Sequence, residues 1–244
     1  MIRVFLLAGQ SNMRGAGITA EIAGRVTPPA TVRLFDDGAW RDLLWQERFG
    51  PECGFALDIA AAFPDDQIVL CKVARGGANL YYDWNPDGVS KGPEDACRGP
   101  LYPLLTDAFT AVRREVDRPD TEMRVCGLLW MQGERDAVFE IMAAAYERNL
   151  AGFIAAVRRD TGTLDLPVIL GEIAPRVYNL EKRCFKHAFR EIVQGARQHV
   201  ADADPRVDLV HTLDLPQRDN LHFDTAGQLE LGRRLARAAL ELSS

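Results

Sequence analysis

The sequence predicts an α/β fold in which a mostly parallel five-stranded sheet lies between two layers of helices. Two observations support this prediction. Five short apolar runs have the composition of strands buried on both faces, and segments with helical periodicity separate them. This alternation implies a parallel sheet covered by helices on both faces. Short right-handed crossovers favour a flavodoxin-like, doubly wound strand order and a three-layer α/β/α sandwich. With 244 residues, 47% of them hydrophobic, the chain is expected to form a single domain over residues 1–244.

The predicted strands and helices follow one another along the chain. The apolar runs place strands at residues 2–8, 67–73, 123–131, 166–173 and 207–212. Apolar residues at helical spacing place helices at 101–116, 136–159, 180–200 and 224–242, and an Ala-rich segment adds a shorter helix at 54–63. Residues 25–50 and 79–100 are rich in Gly, Pro, Asp and Trp, so we expect long loops there, with one hairpin. Long loops in a compact domain often form functional sites.

Charge and composition exclude two classes of partner. The formal net charge is -6 and the pI is about 5.3, whereas binding to nucleic acid requires a basic face. No apolar run is long enough to span a membrane, and the apolar stretch at residues 1–8 is short for a signal peptide and has no A-x-A site after it. Five cysteines without a CxxC pair indicate free thiols in a reducing compartment, so a cytoplasmic location is expected. The sequence leaves the oligomeric state open.

Polar residues follow four of the predicted strands. In a doubly wound sheet, ligands bind beyond the carboxyl ends of the strands, and those positions correspond to residues 9–13, 74–79, 130–136 and 219–223. Together these segments supply a serine, a histidine, carboxylates, an amide and paired glycines. Acyl transfer needs a nucleophile, a base, an acid that orients the base, and hydrogen-bond donors for the oxyanion. The sequence therefore points to acyl transfer at this edge of the sheet.

Ser11 is the candidate nucleophile. It follows the first buried strand and Gly9, so its hydroxyl is expected at the N-terminus of a helix, where backbone N–H groups and the helix dipole favour negative charge. Taken alone, the position is more typical of a serine that caps a helix, and the nucleophile interpretation depends on His222.

His222 is the candidate base, with Asp219 as the acid that orients it. Asp219 comes three residues earlier on the same predicted loop, close enough to hold one ring nitrogen and to stabilise the imidazolium. The alternatives are a turn residue at Asp219 and a structural histidine at 222. The other histidines lack such a neighbour: His187 and His199 fall in a predicted helix and are expected to face solvent, and His211 ends a strand.

Five blocks of sequence, in order, resemble the SGNH-hydrolase superfamily. Within it, the chain is similar to the carbohydrate acetylesterase branch, which includes acetylxylan esterases and the sialate O-acetylesterase domain. The matching blocks are Gly9-Gln10-Ser11-Asn12-Met13, Gly50-Pro51-Glu52, Gly76-Gly77 with Trp84, Trp130-Met131-Gln132-Gly133-Glu134, and Asp219-Asn220-Leu221-His222-Phe223. Many superfamily members have Gly-Asp-Ser in the first block and Asn in the fourth, where this chain has Gln10 and Gln132. Relatives in this branch often have Thr where this chain has Ala78.

The resemblance implies an SGNH-hydrolase fold and a serine esterase that removes O-acetyl groups from a carbohydrate or related small ester. It implies an acetyl-enzyme intermediate and neither a metal nor another cofactor. Ser11, Asp219 and His222 would form the catalytic triad. The oxyanion hole would comprise the N–H of Ser11, an N–H from Gly76 or Gly77, and the side-chain amide of Gln132.

Further residues in these blocks are assigned supporting functions. Glu134 and Glu52 are candidates for bracing the site or for an alternative acid. The candidate substrate contacts are Gln10, Asn12, Arg75, Asn79 and Trp84. Two other functions stay open: a lipase-like or thioesterase-like hydrolase for longer acyl chains, and a non-catalytic carbohydrate- or nucleotide-binding domain. The phosphate-binding patterns G-x-G-x-x-G and G-x-x-x-x-G-K-[ST] do not follow the first strand, which argues against a nucleotide site.

Overall fold

A computed structural model describes residues 1–86, 101–175, 177–179 and 184–243. Its strands are β1 (Ile2–Gly9), β2 (Gly17–Ile18), β3 (Val32–Asp36), β4 (Ala39–Arg41), β5 (Arg48–Phe49), β6 (Gln67–Ala74), β7 (Met123–Met131), β8 (Val168–Gly171), β9 (Val177–Asn179), β10 (Cys184–Lys186) and β11 (Val207–Val210). Its α-helices are α1 (Ser11–Arg14), α2 (Thr19–Ile22), α3 (Glu52–Ala62), α4 (Leu101–Val116), α5 (Glu140–Thr161), α6 (Arg190–Ala203) and α7 (Thr225–Leu242).

The five predicted strands form the centre of the main sheet. Their order is β6-β1-β7-β8-β11, and every neighbouring pair is parallel. This is the doubly wound order that the sequence predicted, with the chain changing direction of winding at β1. Because β1 lies between β6 and β7, the loops after these three strands meet at one edge of the sheet.

Among the described residues the sheet has seven strands, so the prediction of five is wrong in number. Strand β3 pairs in parallel with β6, and β4 pairs antiparallel with β3 at the edge. Asp37 and Gly38 form the two-residue connection, with φ of 51° and 72°. An Asp-Gly pair with two positive φ angles is typical of a type I′ hairpin. One hairpin was expected in the loops at 25–50 and 79–100, and the structure contains one at Val32–Arg41, which extends the sheet.

The sheet separates two hydrophobic cores, because its side chains alternate between its faces. Along β1, Val4 and Leu6 contact one core, which also contains apolar residues of α4, α5 and α6. Phe5 and Leu7 contact the other core, together with α3 and α7. The three-layer α/β/α arrangement is thus confirmed. Leu7 is 0% exposed, and replacing such a leucine by alanine typically costs about 2–5 kcal/mol.

Helices α3 and α7 lie with their backbones almost in contact. A Cβ atom on Gly54 would lie 2.0 Å from the carbonyl oxygen of Leu229, and one on Gly232 would lie 2.1 Å from that of Pro51. The start of α7 is fixed by Asp224, whose carboxylate accepts a hydrogen bond of 2.8 Å from the N–H of Gly227. The segment containing His222 therefore enters a helix that is held firmly at its beginning.

The predicted helix at 180–200 is wrong at residues 184–189: strand β10 pairs antiparallel with β9, and α6 begins only at Arg190. Residues 180–183 of this prediction lie outside the described residues. His187 lies in the turn between β10 and α6, with φ of 58°, and its side chain is 4% exposed. The expectation that it faces solvent from a helix is therefore also wrong. The N–H of Phe189 donates to the carbonyl oxygen of Ala137, and this tertiary contact favours the turn over the helix. His199 does lie on α6 with an exposed side chain.

The remaining predicted helices agree more closely with the structure. Helix α4 has the predicted bounds, and the segment predicted at 136–159 consists of a 3₁₀ turn (Asp136–Val138) followed by α5. Within the described residues, no helix combines the length and apolar content needed to cross a membrane.

Cys53, Cys71 and Cys126 are buried free thiols, as their apolar surroundings suggest. Burial raises the pKa of both Cys53 and Cys71 to about 12, so neither is a thiolate nucleophile at neutral pH. Cys97 lies outside the described residues.

Candidate active site

The chain turns sharply between β1 and Ser11. Gly9 has φ of 155°, and a Cβ atom there would lie 2.1 Å from the carbonyl oxygen of Met131 on the neighbouring strand. The N–H of Gln10 donates to the same oxygen at 2.9 Å. Ser11 then begins the short helix α1. The turn therefore requires glycine, because a side chain at position 9 would separate β1 from β7.

His222 and Asp219 form a hydrogen-bonded pair. The Nδ1 atom of His222 lies 2.9 Å from Oδ2 of Asp219, and the other carboxylate oxygen accepts the N–H groups of His222 (2.7 Å) and Leu221 (2.8 Å). Burial acts to raise the pKa of Asp219, but the hydrogen bonds from His222 outweigh it and hold that pKa below its ordinary value. With Nδ1–H donated to a carboxylate, Nε2 is the ring nitrogen left to accept a proton.

Ser11 and His222 line the same cleft, which has a volume of about 510 Å³. No hydrogen bond joins their side chains among the described residues, and contacts of this kind are often formed only when substrate is bound. Gly76 also lines the cleft. The other lining residues are Arg14, Gly15, Ala16, Gln46, Glu47, Arg48 and Arg218.

Gly76 and Gly77 lie in a tight turn after β6. The N–H of Ala78 donates to the carbonyl oxygen of Arg75 at 3.2 Å, and Gly77 has φ of 68°. The N–H of Arg75 donates to the carbonyl oxygen of Gly9 at 3.3 Å, which ties this turn to the end of β1. The structure thus brings Gly76 to the cleft beside Ser11, while Gly77 provides the positive φ that the turn needs.

Gln132 does not reach the cleft. Its side chain is 0% exposed, and its Nε2 lies 3.1 Å from the carbonyl oxygen of Ala78, 2.5 Å from Asp136 and 3.3 Å from Oε1 of Gln10. An amide nitrogen has two hydrogens, so these acceptors take up its donor capacity. The expected third donor of the oxyanion hole is therefore directed into the protein, where it links the loop after β7 to the turn after β6.

Gln10 is 3% exposed and braces the same region. Its Oε1 accepts from the N–H groups of Gly133 and Arg135, each at 3.3 Å. The structure does not support a substrate contact for this residue.

Asp136 is a buried carboxyl beside Gln132 that the sequence motifs do not identify. It is 0% exposed and accepts hydrogen bonds from the N–H groups of Leu80 (2.9 Å) and Tyr81 (3.1 Å). Burial raises the pKa of Asp136 to about 7, against the lowering effect of these bonds. Asp136 lies four residues after Gln132, directly behind the Gln-Gly-Glu block. This proximity is the feature of the sequence that could have marked Asp136 as part of the site.

Asn12 and Glu134 contact each other beneath the cleft. Asn12 is 0% exposed and its Nδ2 donates to Oε1 of Glu134 at 3.1 Å. Burial raises the pKa of Glu134, although Asn12 and the nearby Arg197 and His222 act to lower it. Asn12 is thus buried rather than presented to a substrate, and the structure gives Glu134 a hydrogen bond to Asn12 rather than to His222.

Two further candidate substrate contacts are buried. The side chain of Asn79 is held by Asp83 (3.1 Å) and accepts from the N–H of Tyr82. Trp84 is 0% exposed, and its ring centroid lies 5.3 Å from that of Trp130 in the hydrophobic core. Neither supports contact with a sugar.

Arg75 is exposed and lines a second cavity of about 520 Å³, which shares Arg14 and Gln46 with the cleft. It therefore stays a candidate for contact with a large substrate. Arg14, Arg48 and Arg218 were not among the predicted site residues, although Arg14 and Arg218 directly neighbour the Ser11 and Asp219 blocks. Within the described ranges, no group of three or more His, Cys, Asp or Glu residues has a metal-binding arrangement.

Comparison with known sequences relates this chain to carbohydrate esterases. Residues 1–241 match the family described as carbohydrate esterase, sialic acid-specific acetylesterase. The chain is 27% identical to the probable carbohydrate esterase At4g34215 of Arabidopsis thaliana, over 98% of this chain and 90% of that protein.

Several solved structures share the fold. The Arabidopsis protein superposes with a TM-score of 0.74 at 22% identity, over 99% of each chain. XAC1771, a carbohydrate acetylesterase from Xanthomonas citri, gives 0.72 at 19% identity, over 98% of this chain and 56% of that one. NanS gives 0.70 at 18% identity, over 98% and 97%. The family match extends over nearly the whole sequence and confirms the resemblance seen in the five blocks, so this chain belongs to the sialic acid-specific acetylesterase family of carbohydrate esterases.

Proposed function

We propose that this carboxylic ester hydrolase removes O-acetyl groups from a sugar, with Ser11 as nucleophile, His222 as base and Asp219 as the acid that orients His222. The observation that carries the proposal is the 2.9 Å hydrogen bond between His222 Nδ1 and Asp219, on a cleft that also contains Ser11. With Nδ1 bonded to Asp219, Nε2 of His222 is the ring nitrogen that would accept the serine proton.

The reaction proceeds in two halves. The Oγ atom of Ser11 attacks the acetyl carbonyl carbon while Nε2 of His222 accepts the serine proton. The tetrahedral intermediate then collapses, and the sugar alcohol leaves with the proton from His222. Water, deprotonated by the same histidine, attacks the acetyl-enzyme and releases acetate and free Ser11. Asp219 stabilises the imidazolium in both halves.

Backbone donors provide the oxyanion hole in this proposal. Ser11 and Gly76 both line the cleft, their N–H groups are the proposed donors, and Gly76 has no side chain to obstruct the approach of the carbonyl oxygen. Gln132 serves indirectly, because its amide holds the carbonyl oxygen of Ala78, the last residue of the Gly76 turn. The donors are therefore fixed before substrate binds.

The charge of the cleft favours an ester whose sugar carries a negative group. Arg14, Arg48 and Arg218 line it, against a single carboxylate from Glu47. Guanidinium groups bind carboxylates well, because their donors match the two oxygens. An acetylated acidic sugar fits this surface better than a neutral one. Within the cleft, Ala16 is the one hydrocarbon side chain among the described lining residues, which argues against a long acyl chain.

The test is the Ser11→Ala variant, assayed on a chromogenic acetate and on an acetylated sugar, with and without a chelator. We expect kcat to fall by about 10⁴-fold or more, with the fold unchanged, and the wild type to be insensitive to the chelator. Ser243→Ala, at the far end of α7, is the matched control and should keep the wild-type rate. Wild-type activity in Ser11→Ala, or loss of activity in chelator that a divalent metal restores, would refute the serine mechanism.

A further inference from the structure

Asn12 makes hydrogen bonds to the residues on both sides of His222. Its Nδ2 donates to the carbonyl oxygen of Leu221 at 3.0 Å, and its Oδ1 accepts from the N–H of Phe223 at 3.3 Å. These partners lie more than 200 positions away in the sequence. Because Asn12 directly follows Ser11, one short side chain connects the nucleophile segment to the histidine segment.

We propose that Asn12 is a positioning residue that fixes the His222 imidazole relative to the Ser11 hydroxyl. The inference rests on the proposed function. Two hydrogen bonds with opposite donor direction, made to the peptide groups before and after His222, restrain both the position and the rotation of that segment. The segment needs such a restraint, because Arg218, Asp219 and Asn220 are all exposed on the surface.

Glu134 determines which way the Asn12 amide points. The Nδ2 atom of Asn12 faces two acceptors, Oε1 of Glu134 and the carbonyl oxygen of Leu221, whereas Oδ1 faces the N–H of Phe223. If the amide were rotated by 180°, its oxygen would face two acceptors and its nitrogen would face a donor. Glu134 is 1% exposed, so water cannot compensate for such a mismatch. Glu134 therefore contributes to positioning through Asn12 and not as the acid that serves His222.

The backbone of Asn12 is itself anchored to helix α7. The Nε2 atom of Gln228, on α7, donates to the carbonyl oxygen of Asn12 at 3.3 Å. The backbone and the side chain of one residue are thus both bonded to the C-terminal part of the chain. A displacement of about 1 Å between nucleophile and base can cost about 100-fold in rate.

The experiment compares Asn12→Ala and Asn12→Ser with the wild type. Asn12→Ser keeps a hydroxyl that can donate to Glu134 but is too short to bond both Leu221 and Phe223, and it adds no second carboxylate beside Glu134, so it also serves if Asn12→Ala does not fold. The matched control is Thr212→Val, which removes a buried hydrogen bond to the carbonyl oxygen of Glu172, outside the cleft. Each protein is assayed for kcat and KM on a chromogenic acetate and for its rate of labelling by a fluorophosphonate, normalised to the folded fraction.

We expect both Asn12 variants to lose about 100-fold in kcat and in labelling rate, with KM changed by less than about threefold. Thr212→Val should lose stability but keep both rates. If the Asn12 variants are folded, less stable and as fast as the control, Asn12 is only structural and the inference is wrong. If the wild type itself neither hydrolyses acetates nor reacts with the fluorophosphonate, the proposed function fails, and the positioning role with it.

Discussion

The ammonium group of Lys72 lies 2.9 Å from the carboxylate of Glu52, and each of the two side chains is 1% exposed. Lys72 also donates to the carbonyl oxygen of Arg14 at 3.1 Å, while Glu52 accepts the N–H of Gly50 at 2.8 Å. The pair therefore connects the end of α1, which carries Ser11, to the start of α3. The carboxylate of Glu52 is occupied by Lys72 and by the N–H of Gly50. These contacts favour the bracing function for Glu52 over that of an alternative acid for His222.

Breaking this ion pair should destabilise the protein strongly. Lys72→Met leaves the Glu52 carboxylate buried and unpaired, and we expect the free energy of unfolding to fall by about 3–5 kcal/mol. The double variant Lys72→Met/Glu52→Gln should recover much of that loss. Denaturant unfolding measures both. Arg113→Ala, which removes an exposed ion pair with Asp117, is the control and should cost about 1 kcal/mol or less. A loss below about 1 kcal/mol in Lys72→Met would show that the pair contributes little.

The sequence predicted the central sheet well and its edges poorly. Each central strand is an apolar run buried on both faces, and β1 shows this in every residue from Val4 to Gly9. The edge strand β4 has only three residues and is partly exposed, so it is too short to show an apolar run or an alternating pattern. Asp37-Gly38 was the informative signal for that hairpin. The turn at His187 could not be predicted from local periodicity, because a tertiary hydrogen bond from Phe189 holds it.

Within the site, the motifs identified the residues better than their functions. Ser11 and His222 line one cleft, as the sequence suggested. Gln10 and Asn12 flank Ser11, and a sequence does not show that both side chains point inward. Trp84 follows the paired glycines in a block predicted to contact substrate, yet its ring lies in the core against Trp130. Which side of a loop a side chain occupies depends on the neighbouring strands, and these come from distant parts of the chain.

If the arginines of the cleft bind a negative group of the substrate, kcat/KM should depend on the salt concentration. We expect kcat/KM for an acetylated acidic sugar to fall with rising ionic strength, and that for a neutral acetylated sugar to change little. Arg218→Gln should raise KM for the acidic substrate by about tenfold, a loss of about 1.4 kcal/mol in binding. Arg237→Gln, on the exposed side of α7, is the control. Equal effects on acidic and neutral substrates would show that the arginines do not recognise charge.

Acyl chain length should limit activity. Since Ala16 supplies the hydrocarbon part of the cleft wall, longer chains gain little apolar burial there. We expect kcat/KM to decrease from acetate to butyrate to octanoate, measured on a series of chromogenic esters. Equal or faster hydrolysis of the octanoate would favour the lipase-like alternative.

His187 should make stability depend on pH. Its burial, followed by the charge of Lys186, lowers the pKa of His187 to about 4 from an ordinary value of 6.5. As pH falls below 6.5, the unfolded chain binds a proton that the folded protein does not bind until about pH 4, so stability decreases over this range. The loss should approach about 3 kcal/mol. His187→Asn tolerates the positive φ and should remove this part of the pH dependence, as measured by thermal unfolding between pH 7 and 4. The same pH dependence in both proteins would contradict the prediction.

The acid that serves His222 can be identified by comparing Asp219→Asn with Glu134→Gln. Asp219 accepts the Nδ1–H of His222, and an amide in its place can donate to Nδ1 instead, which leaves the proton on Nε2 and prevents that nitrogen from accepting the serine proton. We expect kcat to fall by about 10³–10⁴-fold in Asp219→Asn, with little change in KM. Because the pKa of Asp219 lies below its ordinary value of 3.8, its carboxylate stays ionised above about pH 4, and the defect should be present throughout the pH range of 5 to 9.

Glu134→Gln retains an oxygen that can accept from Asn12, so the amide orientation is kept and we expect less than about a tenfold decrease in kcat. Steady-state kinetics on a chromogenic acetate measures both variants at several pH values. If Glu134→Gln is folded and inactive while Asp219→Asn is nearly as active as the wild type, Glu134 is the acid of the triad and the hydrogen bond between Asp219 and His222 is only structural.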